Sequence, residues 1–519
     1  MTPGAFVMPD DQRDVIAFLK DPSSYGEGVD RVETIETHAS LVFIAGEHVR
    51  KLKRAVKYPY LDFSTAQLRK RACESELALN RRTAPALYLD VLPLICTEAG
   101  VISFSGAGEP VDWVVVMRRF DQALLFEALA KTGGLDSRII ERLADHIALF
   151  HGAAARRIDR GGAAEMCGIA ETQHRCLAAA RRAGFAPDEV DGLLGAWREQ
   201  LAIVGELLDR RRAADKVRHC HGDLHLRNIC LFDGRPTLFD CLEFSEALAS
   251  VDVLYDLAFL VMDLEHRGLA PLANRVLNRY LDRSEEDDGL AAMPLFLSLR
   301  AAIRAHVTAT TLEATADGAT TEEMAADSGK YLGLAHRFLR PAPCRLIGIG
   351  GVSGTGKSTL AAGLAPERGL RPGARVVRSD VTRKLLLGVE PEIRLPASGY
   401  IREVTERVYD ALRRKAAIGL VAGYSVIIDA VSLLPEERAS FAEVARTAGV
   451  PFTGLWLEGR AERLADRIRA RRGDASDASP EIPAEQLQHD AGAIDWVRID
   501  AGGGPEECLA AARRALRRN

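Results

Sequence analysis

Residues Gly351-Val352-Ser353-Gly354-Thr355-Gly356-Lys357-Ser358-Thr359 follow directly on the apolar run Leu346-Ile347-Gly348-Ile349-Gly350. Together they complete the pattern G-x-x-x-x-G-K-[ST] behind a strand-like segment, which predicts a phosphate-binding loop. In such a loop successive backbone N–H groups wrap the phosphates, and the helix that follows points its positive end at the anion. The spacing assigns Lys357 to the β/γ oxygens of a nucleoside triphosphate and the Ser358 hydroxyl to Mg²⁺. Gly351, Ser353, Gly354, Thr355, Gly356 and Thr359 complete the cradle.

That loop opens only the last third of the chain. Upstream lies a second constellation, His221-Gly222-Asp223-Leu224-His225-Leu226-Arg227-Asn228, followed by Phe239-Asp240. Phosphoryl transfer to a hydroxyl needs a carboxylate to orient or deprotonate the nucleophile, and oxygen ligands to hold Mg²⁺ on the β and γ phosphates. Asp223 fits the first role and Asn228 with Asp240 the second, in the D-x-x-x-x-N…D order of protein-kinase catalytic loops. The same segment, with His219, Cys220, His221 and His225, has mixed zinc-ligand spacing. The Asn228 and Asp240 positions already account for it, and no second ligand cluster completes a tetrahedron.

The 519 residues predict two to four domains at roughly 150 residues each, and 47% apolar content is ample for separate cores. With 68 basic and 73 acidic residues, net charge is −5, which gives no global basic field for nucleic acid or a membrane surface. Nine scattered cysteines without C-x-x-C spacing argue for a reducing compartment. No basic segment leads into an apolar stretch at the N-terminus, and the window Leu254 to Met262 is too short to span a bilayer, so the expected location is the cytoplasm.

Strand-like alternation covers the region from Arg31 to Leu61, and the segment Thr65 to Arg81 reads as a helix. Further strands are expected at Val91–Ile95, Val101–Phe104 and Asp112–Met117. Helices follow at 135–155, 189–213, 252–265, 269–281 and 293–311, and Glu313–Glu323 reads as a loop. A β-rich lobe joined to an α-rich lobe is implied. Leu339-Arg340-Pro341-Ala342-Pro343-Cys344 reads as a linker, because its prolines stop a helix ahead of the P-loop strand. Beyond it, strands at 345–350, 375–378, 425–428 and 452–457 alternate with helices in the rhythm of a parallel sheet.

The H-G-D loop resembles that of the aminoglycoside and choline phosphotransferase family, with Gly222 where protein kinases have Arg, which implies a small-molecule acceptor. A closer resemblance is to bacterial proteins that fuse such a domain to a P-loop kinase. Its motifs stand here as Glu36-Thr37-His38-Ala39-Ser40-Leu41-Val42-Phe43, Lys51-Leu52-Lys53, Leu61-Asp62-Phe63 and Cys73-Glu74-Ser75-Glu76-Leu77-Ala78-Leu79-Asn80. The resemblance implies that Lys51, or its rival Lys53, contacts the α/β phosphates and that Glu76 holds it. It also makes Met117-Arg118-Arg119-Phe120 the adenine hinge, His221 a support of the loop backbone, and Asp252 and Asp256 shared motif positions. Ala249 stands where an arginine is expected.

In the second site Asp380, in Ser379-Asp380-Val381-Thr382-Arg383, is the candidate general base and Arg383 the acceptor-holding cation. Both follow a strand at the carboxyl edge of a parallel sheet, where such folds bind ligands. Val426-Ile427-Ile428-Asp429 has the Walker B form, which places Asp429 near Mg²⁺ through water. Arg463, Arg467, Arg471 and Arg472 lie along one helix. They read either as a solvated face or as a lid, Arg467 and Arg471 closing on the transferring phosphate. This part resembles the P-loop kinases grouped with gluconate kinase, chloramphenicol phosphotransferase and zeta-toxin-like enzymes.

The expected fold is mixed α/β and α+β: a bilobal protein-kinase-like domain over 1–341 and a P-loop kinase domain with a parallel sheet over 342–519. The expected function is a bifunctional phosphotransferase using ATP and Mg²⁺ on small-molecule hydroxyl acceptors, without membrane. Two alternatives give the P-loop domain other work, as an ATP-hydrolysing regulatory switch or as a polynucleotide or nucleotide-sugar kinase. In the last case the C-terminal arginines Arg513 to Arg518 would touch phosphates, and the near-neutral charge ranks it third.

Overall fold

The structure, a computed structural model, describes residues 11–37, 39–58, 61–315, 318–470 and 475–518. They form two compact units, Met1–Gly161 with Arg212–Asp256, and Gly162–Arg211 with Leu257–Asn519. Spatial division therefore falls elsewhere than at the linker: the helices Ala270–Ser284, Met293–Ala314 and Ala319–Phe338 share a unit with the P-loop sheet.

In the first unit a six-stranded antiparallel sheet has the order Glu33–Glu36, Ser40–Ala45, His48–Lys53, Glu109–Arg118, Tyr88–Cys96, Ile102–Ser103. Period-2 alternation puts Val49, Lys51 and Lys53 on one face of the central strand. The helix Ala66–Asn80 starts where Thr65 accepts the Leu68 N–H at 3.3 Å, and its buried stripe includes Cys73 and Glu76. Two short hairpin strands, Ile229–Phe232 and Arg235–Leu238, carry the chain from Asn228 to Asp240.

The second unit is built on a five-stranded parallel sheet, ordered Arg375–Arg378, Val426–Asp429, Leu346–Gly350, Phe452–Glu458, Val497–Asp500. The P-loop strand is central and buried throughout, as its unbroken apolar reading requires for a sheet covered on both faces. Arg375 on the edge strand is 1% exposed. Its guanidinium meets Asp282 and Asp287 at 2.6 Å each. The Asn278 side chain imitates a neighbouring strand, accepting the Val376 N–H at 2.7 Å and donating to the Ala374 carbonyl at 3.2 Å. Helix Ala270–Ser284 thereby closes an edge that would otherwise be open to pairing.

Glu313–Glu323, expected as a loop, is helical at both ends: one helix runs to Ala314 and the next starts at Ala319. Tertiary packing overrides the Ala/Thr/Gly composition, with Ala309, Leu312, Tyr331 and Ala335 all buried and Ser328 donating to the Ala305 carbonyl at 2.7 Å. Helix Gly162–Ala179 was also not among the expected elements.

Candidate active sites

Both strand lysines of the first unit face the helix that carries Glu76. Lys51 Nζ lies 2.9 Å from Glu76 Oε1 and 2.6 Å from Asp240 Oδ1, whereas Lys53, 1% exposed, pairs with Glu76 and Glu243. Lys51 therefore stands at the carboxylate expected to hold metal, and Lys53 is enclosed. Glu243 was not foreseen; it lies 190 residues from Lys53 in the chain, out of reach of any local signal. Burial opposes the charge of Glu76, but the two ammonium groups overcome it and hold the carboxyl down at about 2. Burial likewise opposes Lys53, and Glu243 with Glu76 pushes it up to about 12.

The His221–Asn228 loop is fixed from beneath by Asp256, fully buried, which accepts the Gly222 N–H at 2.9 Å and the His221 N–H at 3.2 Å and meets His151 Nε2 at 3.1 Å. His151, Cys220 and Asp256 converge as a metal set would. The carboxylate is already engaged by the loop amides, so the cluster serves as scaffold. His221 Nε2 lies 3.0 Å from the Phe239 carbonyl, joining the loop to the strand that delivers Asp240. Gly222 has φ +83°, and a Cβ there would stand 3.0 Å from Leu242 Cβ and 3.3 Å from Ala249. The H-G-D form and Ala249 are thus one packing solution, with no room for arginine.

Asn228 Nδ2 donates to the Asp223 carboxylate at 2.8 Å and to its carbonyl at 2.9 Å. The side-chain amide of Asn228 also carries an oxygen, a group able to ligate a hard cation. Asp240 holds φ +60°, its N–H 3.2 Å from the Tyr88 hydroxyl, and its carboxylate is 40% exposed. These oxygens suit a hard divalent cation such as Mg²⁺. Beside the hinge a pocket of about 520 Å³ is lined by Ile44, Glu47, Arg119, Phe120, Asp121 and Gln122.

In the second unit Gly351 has φ +130°, and a Cβ would strike the Leu457 carbonyl oxygen at 2.4 Å, so the backbone can turn there only as glycine. Lys357 Nζ lies 2.9 Å from the Gly351 carbonyl and 3.1 Å from that of Val352, folded over the loop it would share with phosphate. Ser358 Oγ donates directly to Asp429 Oδ2 at 2.6 Å. A hydroxyl and a carboxylate this close also suit Mg²⁺. A cleft of about 960 Å³ opens in front of them, with Asp380 on its wall. Burial raises the Asp380 carboxyl; Arg378 opposes this and Asp429 adds to it.

Arg383 lines the cleft but bonds to structure: it donates to the Gly399 carbonyl at 2.9 Å and to Thr405 Oγ1 at 3.1 Å, and lies over the Tyr400 ring at 4.8 Å. Asp477 holds the same wall, meeting Lys384 Nζ at 2.9 Å, the Leu395 N–H at 2.9 Å and the Tyr400 hydroxyl at 2.7 Å. Arg467 is not brought to the P-loop; it donates to the Gly503 carbonyl at 2.9 Å. Arg471 lies outside the described residues, as do His38 and Arg472. Ser353 donates its N–H to the Gln486 side-chain carbonyl at 2.7 Å, and Arg378 stands beside Ser358. Neither Gln486 nor Arg378 was foreseen. Only the position of Arg378, at a strand end next to Ser379-Asp380, offered a signal.

Comparison with known proteins finds a separate family match in each half of the chain. The profile of the "Phosphotransferase enzyme family" matches residues 69–296, and an "AAA domain" profile matches residues 346–491. A sugar kinase of a Janibacter species is 26% identical, covering 34% of this chain and 95% of its own at a TM-score of 0.26. A choline/ethanolamine kinase family protein of Mesorhizobium loti is 16% identical, covering 62% of this chain and 97% of its own at a TM-score of 0.38. Uncharacterized proteins of Mycobacterium bovis and Mycobacterium tuberculosis are 34% identical over 498 residues, 93% of this chain and 94% of theirs. The chain belongs to the family of these mycobacterial proteins, and in its own sequence a phosphotransferase-family domain and a P-loop kinase domain share one polypeptide.

Proposed function

We propose that the protein is a bifunctional ATP-dependent kinase that moves the γ-phosphoryl group of ATP to hydroxyl groups of small molecules, once in each half. The observation that carries this reading is a carboxylate beyond the metal-binding set in each site, Asp223 in one and Asp380 in the other. Each of these carboxylates can take the proton of an incoming hydroxyl, the step that transfer to an alcohol requires beyond phosphate and metal binding.

In each half the acceptor oxygen bonds to the γ-phosphorus as the bond from that phosphorus to the β–γ bridging oxygen breaks. The electron pair leaves with ADP, and the acceptor proton passes to Asp223 or Asp380. Lys51, kept on line by Glu76, neutralises phosphate charge in the first half, and Lys357 with the loop N–H groups does so in the second. Mg²⁺, when bound by Asn228 and Asp240 or by Ser358 and Asp429, spreads charge off the β and γ phosphates. The residues 1–341 and 342–519 are the two catalytic segments under this proposal. The setting is the cytoplasm, a choice supported by nine cysteines that form no disulfide.

The test is ATP consumption across sugars, amino sugars, aminoglycosides, nucleosides and RNA ends, run on wild type, Asp223→Ala and Lys357→Ala. Acceptor-dependent ADP release lost in one variant assigns that acceptor to that half. Hydrolysis indifferent to every acceptor and lost only in Lys357→Ala would favour the switch reading instead.

A further inference from the structure

Arg378 ends the edge strand and immediately precedes Ser379-Asp380. Its Nη2 donates to Ser358 Oγ at 3.1 Å, and its Nε lies 3.4 Å from Asp429 Oδ2, the same oxygen that accepts from Ser358 at 2.6 Å. A guanidinium thus stands at the two oxygens that suit a divalent cation, with 26% of its side chain exposed to the cleft. Of the arginines expected in this site, Arg383, the acceptor-holding candidate, is engaged on Gly399 and Thr405, and Arg467, a lid candidate, on Gly503, while Arg471 lies outside the described residues.

A divalent cation and a guanidinium repel at such range, so binding of metal at Ser358 and Asp429 must drive Arg378 off that carboxylate. The nearest new anion is the terminal phosphoryl that enters beside Lys357 with the metal. A planar fork of N–H donors matches its oxygens, and a fixed cation there acts where charge spreads during transfer.

We propose that Arg378 is the phosphoryl-binding cation of the second site, holding Ser358 and Asp429 before nucleotide arrives and turning onto the transferring group once metal takes its place. This rests on reading the P-loop half as an ATP-dependent kinase. The backbone needs no rearrangement, because the strand is pinned three residues earlier by the Arg375 ion pairs with Asp282 and Asp287.

The experiment uses the full chain carrying Lys51→Met and Asp240→Asn to silence the first half. Binding of Mn²⁺ to nucleotide-free protein is read by electron paramagnetic resonance, and affinities for AMPPNP and ADP are read by calorimetry. Adding Arg378→Ala should tighten Mn²⁺ and cut the preference for AMPPNP over ADP, each by about tenfold, the scale of one charge-assisted contact. Arg378→Lys should fall between, which separates lost charge from a misfolded strand. Either readout unchanged in Arg378→Ala overturns the proposed exchange. Loss of all nucleotide binding already in the silenced background would instead sink the kinase reading of this half, and the role of Arg378 with it.

Discussion

Lys51 is bonded at once to Glu76 and to Asp240, at 2.9 and 2.6 Å, so the helix and the carboxylate that follows the hairpin meet on one ammonium group. Lys53, two residues on, reaches the same glutamate but closes on Glu243 inside the protein. The two lysines therefore have separable roles. Lys51→Met should lower turnover of the first half by at least about 100-fold with a small change in unfolding midpoint. Lys53→Met leaves Glu243 buried without its cation and should cost about 3–5 kcal/mol in urea unfolding. Equal stability loss in both variants would contradict the assignment.

Acid stability follows from Glu76. Its carboxyl sits at about 2 in the folded protein against an ordinary 4.5, so the unfolded chain takes up the proton first as pH falls. The stabilisation is complete above about 4.5 and drains away toward pH 2. Urea midpoints measured from pH 6 to 3 should fall on the acid side, and Glu76→Gln should flatten that slope. An unchanged slope in the variant would remove Glu76 as its source.

Much of this was readable along the chain because the decisive groups are close in sequence. Asp223 and Asn228 sit on one short loop, and Lys357 and Ser358 open the helix Lys357–Leu364, so local geometry sets both spacings. The choice between Lys51 and Lys53 was not readable, since period 2 puts both on one strand face and only the distant Asp240 and Glu243 distinguish them. Arg375 read only as the first residue of a strand, yet it is buried against Asp282 and Asp287, two acids that precede the linker. Segment 313–323 read as a loop from its Thr, Gly and Asp content, and the helices that enter and leave it are held by packing on each other. Arg467 was read as a lid residue from its helical spacing, which cannot tell a cleft from the nearby Gly503 carbonyl.

Gly222→Ala tests whether the H-G-D form is a packing requirement. The added methyl meets Leu242 and Ala249 at a backbone angle of +83°, so a loss of about 1–3 kcal/mol is expected, together with reduced turnover of the first half. Wild-type stability and turnover would show that the loop yields freely.

Asp477 joins Lys384, Leu395 and Tyr400, and so holds the cleft wall that faces Asp380. Asp477→Ala leaves the buried Lys384 with the Pro391 carbonyl but no carboxylate partner and should destabilise by about 3–5 kcal/mol. Lys384→Met combined with Asp477→Leu removes both charges and should recover most of that stability, while KM for the second acceptor stays raised. Recovery of KM along with stability would limit Asp477 to a structural part.

The most direct test of two phosphotransfer centres in one chain is calorimetric titration of the full-length protein with AMPPNP and Mg²⁺. Two nucleotides should bind per chain, one lost in Lys51→Met and the other in Lys357→Ala. A single site in the wild type, or one abolished by both substitutions alike, would contradict the account.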